Sequence, residues 1–276
     1  MEPRLFTRSL TTSRLVSVAW LALRRNLMGI LSAVAWLLMW LPMESGAATL
    51  SNTIARFEVI RGTNALGTMD VELFDQEKPQ TVRNFLLYVR SGAYTNGFIH
   101  RNVPGFAAQG GGFTVNDPAA TNLFSAYNAV TTFGNLTNEF LVGARLTNLF
   151  GTIAMAKLGG DADSATSQWF FNLANNSTNL DNQNGGFTVF GRALESTNAT
   201  DGTNVLTHFN SLSTNSTIAN LGNLIGSSYS VFSDLPVAVS NRPPRTPGYD
   251  GLYLTRITIL NDPYVAGTNT PSIDLV

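Results

Sequence analysis

Residues 98–113 read FIHRNVPGFAAQGGGF, and the fold of the whole chain turns on them. Two short runs here, Gly97–Arg101 and Gly105–Gln109, are each suited to a strand. The triplet Gly110-Gly111-Gly112 lacks the Lys-Ser/Thr that completes a phosphate loop, so it reads as a tight turn or bulge. A second stretch runs from Gly151-Thr152-Ile153-Ala154-Met155-Ala156 through Asp163-Ser164-Ala165-Thr166-Ser167-Gln168-Trp169-Phe170-Phe171-Asn172-Leu173. It continues to Leu180-Asp181 and Gly186-Phe187-Thr188-Val189-Phe190-Gly191-Arg192. Three more strands fall inside it, at Thr152–Ala156, Gln168–Leu173 and Phe187–Arg192. Short strands parted by Gly- and Asn-rich turns make an all-β sandwich or barrel.

Upstream, IARFEVIR (54–61) and GTMDVELF (67–74) alternate apolar and polar residues around Gly62-Thr63-Asn64, which predicts a β-hairpin. The period then changes. Val82, Phe85, Leu86 and Val89 share one helical face, with Pro79 in the first turn and Gly92 past the end. A second helix is expected over Thr203–Leu212, where Val205, Leu206, Phe209 and Leu212 line up. Residues 213–249, rich in Ser, Asn, Gly and Pro, read as a long surface-loop insertion with little regular structure. LYLTRITIL (252–260) closes the domain, which spans 52–262, and residues 263–276 form a polar tail expected to fray.

The first 47 residues differ from the rest. Arg4, Arg8, Arg14, Arg24 and Arg25 precede an apolar run from Leu27 to Leu41, and Ser45-Gly46-Ala47-Ala48 follows with small side chains. This order predicts a secretory signal cleaved near Ala47 or Ala48, because the run is shorter than the about 20 residues of a spanning helix. The expectation is an exported bacterial protein of the periplasm or cell envelope, with no membrane span after cleavage. A net charge of −1 and only 13% charged residues give no reason to expect a nucleic-acid partner. The chain has no cysteine and two histidines, His100 and His208, so thiol chemistry is excluded and a multi-histidine metal centre is not expected. Asp161 and Asp163 lack the glutamate that would complete a calcium loop, and read as turn residues.

The segments HR-x-x-PGF-x-x-QGG, G-x-x-x-MA, SATSQ-x-F and F-x-VFG occur in an order and spacing that resemble the cyclophilin family of peptidyl-prolyl cis-trans isomerases. The likeness covers about Phe57 to Leu260. It implies a closed eight-stranded antiparallel β-barrel capped by two α-helices, with a peptide groove on its outside, needing no cofactor and acting as a monomer on proline-containing segments of client proteins. Carried over residue by residue, Arg101 matches the catalytic arginine and Gln109 the glutamine that holds it. Phe106, Met155, Phe170 and Leu180 match walls of the proline pocket. Ala156 and Gln168 match positions that touch the peptide backbone, and Phe187 stands where many eukaryotic members have a histidine. Ala107 replaces a frequent methionine, Asn179 a tryptophan that helps bind cyclosporin, and Lys157 an asparagine that contacts substrate backbone. The preserved aromatic floor and Arg101 imply retained isomerase activity, and the changes imply low cyclosporin affinity. His100 is expected to be structural, since bond rotation transfers no proton. Two rival readings remain: a proline-peptide-binding module or chaperone with negligible turnover, and an adhesive all-β surface module suggested by the low charge and abundant Asn, Thr and Ser.

Overall fold

The computed structural model describes residues 52–61, 64–115, 127–196, 198, 200–213, 217–238 and 251–261. The leader (1–47) and the tail (263–276) lie outside the described residues. In chain order the elements begin with β1 (Ile54–Arg61), β2 (Asn64–Leu73), helix α1 (Pro79–Arg90), β3 (Gly97–Phe98), β4 (Arg101–Val103), β5 (Ala107–Gly110), β6 (Phe113–Val115) and β7 (Tyr127–Ala129). They continue with β8 (Thr152–Met155), β9 (Trp169–Asn172), the short helix α2 (Ser177–Leu180), β10 (Val189–Ala193) and α3 (Thr203–Ser211). After α3 come β11 (Ile218–Ala219), α4 (Leu221–Ile225), a 3-10 turn (Ser227–Phe232), β12 (Leu235–Pro236) and the closing strand β13 (Tyr253–Asn261).

Among the described residues the main sheet runs β4-β5-β9-β8-β10-β2-β1-β13-β3-β6-β7, all antiparallel, so it is a curled sheet of eleven strands with β4 and β7 as its edges and not the expected closed barrel of eight. The difference has a local cause. A break at Ile99-His100 splits the expected strand Gly97–Arg101 into β3 and β4, while β6, beyond a second break at the turn Gly111-Gly112, and β7 were not expected. At the first break Ile99 N donates to Tyr253 O and His100 N to Gln109 O, so the sheet curls back toward its own start. Gly111 makes the second break: its φ is +75°, and a Cβ there would sit 2.7 Å from the indole nitrogen of Trp169. The glycine triplet therefore bends a strand around an indole, as a bulge does.

The alternating residues Ala55, Phe57, Val59 of β1 and Met69, Val71, Leu73 of β2 point inward and are buried. Trp169 and Phe171 meet Phe57 edge-on, with ring centroids 5.2 and 5.3 Å away. Helix α1 lays Val82, Phe85 and Leu86 against this core, and α3 adds Val205, Leu206 and Phe209. Both predicted helices are present, and α2 and α4 make four among the described residues. Those two are four and five residues long, too short to show a helical period.

Residues 213–249 depart most from expectation. Their described part, 217–238, is folded and carries its own apolar side chains inward. Leu221, Phe232 and Leu235 are fully buried and pack with Phe98, Leu252 and Leu254 of the sheet as a second core. Pairing of β11 with β12 closes the segment on itself, and β12 packs on β4. Ser, Asn and Gly richness hid this because the buried residues are spaced irregularly, matching neither strand nor helix.

Candidate functional site

Strand register builds the site. Across neighbouring strands Arg101 lies opposite Gln109, Gln109 opposite Phe170, and Phe170 opposite Ala154. Residues directly opposite one another in antiparallel strands share a face. This row therefore places the guanidinium, the amide and the phenyl ring side by side on the outer face. One residue along, the row Gly110, Trp169, Met155 faces the core.

A groove of about 200 Å³ runs over the outer row. Arg101, Phe106, Gln109, Ala156, Phe170, Leu180 and Phe187 line it, joined by Ala107, Lys157 and Gln183. Seven of the nine sequence-predicted residues thus converge. Gln168 stands beside them without lining the groove, its Oε1 accepting from Gln109 Nε2 at 2.7 Å. Met155 does not converge. It is 1% exposed and belongs to the core beside Trp169, because strand alternation turns it away from Ala154 and Ala156.

The apolar wall is packed tightly. Phe170 and Phe187 meet edge-to-face with centroids 5.9 Å apart. Phe187 N donates to Leu180 O at 3.0 Å, which ties the turn after α2 to the same pocket. Phe106 follows the turn at Pro104-Gly105, where Gly105 has φ +73°. Its carbonyl accepts from Leu173 N and Asn176 Nδ2, both at 2.8 Å. Ala107 leaves the wall between Phe106 and Phe170 thin.

Charge enters at both ends. The Arg101 guanidinium carbon lies 5.9 Å from the Phe106 ring centroid, and its Nε faces Asp234 Oδ2 at 3.3 Å. Lys157 Nζ sits 4.8 Å from the Phe187 centroid and donates to the carbonyls of Asn184 and Gly186, each at 2.7 Å. Burial pushes the Lys157 ammonium below its usual pKa, while Asp163 and Asp161 oppose that shift. Lys157 therefore binds the turn that carries Phe187. Gln183 and Asp234 were not foreseen. Gln183 belongs to a polar turn with no pattern of its own, and Asp234 reaches Arg101 only through the folding of residues 217–238.

His100 is the hidden neighbour. It is 3% exposed, meets Phe113 edge-on at 5.0 Å, and burial pushes its pKa down to about 3. At neutral pH it is an uncharged packing residue behind Gln168, whose side chain hydrogen-bonds to it. Asp161 and Asp163 accept from the backbone N–H groups of Asp163 and Asn138, and no metal-binding cluster occurs among the described residues.

Comparison with known proteins gives the family. Residues 58–223 match the sequence profile of cyclophilin-type peptidyl-prolyl cis-trans isomerases. A peptidyl-prolyl cis-trans isomerase of Acinetobacter baylyi is 35% identical over 156 residues, covering 56% of this chain and 73% of that protein. Peptidyl-prolyl cis-trans isomerase A of Dickeya dadantii is 38% identical over 141 residues, covering 50% and 67%. A crystal structure of a Cryptosporidium parvum cyclophilin, determined in the presence of the dipeptide Ala-Pro, aligns with a TM-score of 0.45 and 21% identity, over 76% of this chain and 99% of that one. The matched span holds the whole outer row of strands β4, β5 and β9, and on it the chain belongs to the cyclophilin-type peptidyl-prolyl cis-trans isomerase family.

Proposed function

We propose that this protein catalyses cis-trans isomerisation of X-Pro peptide bonds, with Arg101 as the catalytic residue, Gln109 as its partner and the Phe106–Phe170–Leu180–Phe187 wall as the proline pocket. The observation that carries this reading is the row Arg101–Gln109–Phe170, which sets a fixed cation beside an apolar groove. Rotation about a peptide bond meets a barrier of about 18–20 kcal/mol because the C–N bond has partial double-bond character. No nucleophile or proton transfer is needed to lower it. At the twisted transition state resonance is broken and a lone pair localises on the prolyl nitrogen. A donor aimed there stabilises that state more than either planar one. The guanidinium is always charged and offers such N–H donors. An apolar slot that grips the pyrrolidine ring lets the preceding carbonyl swing while the ring stays still. Ala156 and Gln168 lie where the peptide backbone would run.

The groove is complete within one chain, which supports a monomer as the working unit. No described helix is long and apolar enough to cross a membrane. The basic and apolar leader in residues 1–47 supports export, so the clients we infer are proline-containing segments of exported proteins.

NMR exchange kinetics on an X-Pro peptide test the reading. Arg101→Ala is expected to lose at least about tenfold in kcat/KM, or roughly 1.4 kcal/mol of transition-state stabilisation. Wild-type rates in that variant would remove Arg101 from the chemistry. Peptide binding without turnover in the wild type would make the groove a binding module.

A further inference from the structure

The segment between α3 and the closing strand delivers a carboxylate to Arg101, behind the groove that the arginine lines. Asp234 Oδ2 lies 3.3 Å from Arg101 Nε. Its position is fixed from three directions. Its backbone carbonyl accepts from Asn102 N at 2.7 Å, next in sequence to Arg101. Its carboxylate accepts from Ser233 Oγ at 3.2 Å. The side chains of Phe232 and Leu235, which flank the Ser233-Asp234 turn, are fully buried in the second core.

We propose that Asp234 is a positioning residue for Arg101, and that holding it there is a function of the folded segment 217–238. This inference rests on the isomerase reading of the groove. The contact uses Nε, the guanidinium nitrogen nearest the backbone, and Arg101 still lines the groove beside Gln109. With Phe106 on its other flank, the guanidinium is held between a ring and a carboxylate. The arginine and aspartate side chains are 35% and 36% exposed, so water screens most of the carboxylate's pull on the guanidinium charge. What remains is geometric: fewer rotamers for a long side chain that has to present donors to one point.

The experiment is a double-mutant cycle in the full chain, read by X-Pro exchange kinetics. Asp234→Ala is expected to lower kcat/KM about fivefold, mostly in kcat, which is the scale of one partly exposed ion pair. Asp234→Asn, which keeps the side chain's size and a polar oxygen facing Nε, should return to within about twofold of wild type if the contact acts by position and not by charge. The pair Arg101→Ala with Asp234→Ala should match Arg101→Ala alone, because Asp234 acts through the guanidinium. A wild-type rate in Asp234→Ala, with Arg101→Ala impaired, overturns this inference and leaves the isomerase reading intact. An equal fivefold loss on the Arg101→Ala background also overturns it, assigning Asp234 to the fold of the segment. A wild-type rate in Arg101→Ala removes the isomerase reading itself, and this inference with it.

Discussion

Phe170 and Met155 stand on adjacent strands with opposite duties. Phe170 opposes Gln109 on the outer face and forms the floor of the groove, whereas Met155 opposes Trp169 and fills the core. Both are large apolar residues with little exposure, so composition cannot tell them apart. Register can, since a shift of one residue flips a side chain to the other face. Met155→Ala should open a core cavity and cost about 2–5 kcal/mol in urea denaturation, while the folded fraction keeps a rate within about twofold of wild type. Phe170→Ala should do the reverse in kinetics, lowering kcat/KM by about tenfold or more through loss of the ring that grips proline. Finding both variants equally impaired in rate, per folded molecule, would contradict the assignment of faces. That Arg101, Gln109, Phe106, Phe170 and Phe187 would share one groove was legible from sequence because a family motif carries each. Met155 was misread because the same motif says nothing about which way its side chain turns.

Helix α1 shows how an element is held from outside itself. Its N-cap residue, Lys78, makes no capping hydrogen bond with its side chain, and the first turn has no acidic residue. Glu139 takes that role from sixty residues away in the loop after β7. Its carboxylate accepts from Gln80 N, Thr81 N and Thr81 Oγ1, at 3.1, 2.7 and 2.7 Å. Lys78, in turn, donates from Nζ to the carbonyls of Glu139 and Val142 at 2.8 and 2.6 Å. A negative charge at a helix N-terminus satisfies orphan N–H groups and complements the helix dipole. Lys78 and Glu139 are each 1% exposed, so this is a buried exchange of charges and carbonyls. Glu139→Ala strips partners from two buried donors and a half-buried one, and removes one of the two carboxylates that favour the Lys78 ammonium. The expected loss is about 3–5 kcal/mol in urea denaturation with an unchanged slope. A loss below about 1 kcal/mol would mean that water replaces the carboxylate at the helix end. Periodicity revealed α1 itself; the cap was invisible, because nothing near the helix in sequence announces a partner in a distant loop.

For the molecule as a whole, acid stability follows from the ring buried at the bend between β3 and β4. His100 has its pKa pushed down by burial from 6.5 to about 3. In the unfolded chain the ring is solvated and takes up a proton near pH 6.5. Between that value and about 3 the unfolded state binds more protons than the folded one. The stability contributed by neutral His100 is therefore complete above pH 6.5 and is lost as pH falls toward 3. The slope approaches about 1.4 kcal/mol per pH unit for a single fully titrating group. Thermal unfolding of wild type and His100→Gln from pH 7.5 to 4.5 checks this, the variant being expected to lose less stability per unit. Parallel curves would place the acid sensitivity elsewhere. The second core has a related consequence at this scale. Because Phe232 and Leu235 cover Phe98, Leu252 and Leu254, the segment 217–238 belongs to the cooperative fold and is not an appendage.

Local order in the chain was enough to specify the alternating strands β1 and β2, the apolar faces of α1 and α3, and a family motif that names a guanidinium, an amide and an aromatic wall. Those features depend on residues a few positions apart, where period and turn chemistry act directly. Three matters were settled by tertiary contacts alone: the inward turn of Met155, the capping of α1 by Glu139, and the arrival of Asp234 beside Arg101. Each joins groups separated by many residues, through strand register or through packing of a segment whose composition carries no period, and no local propensity encodes such a meeting.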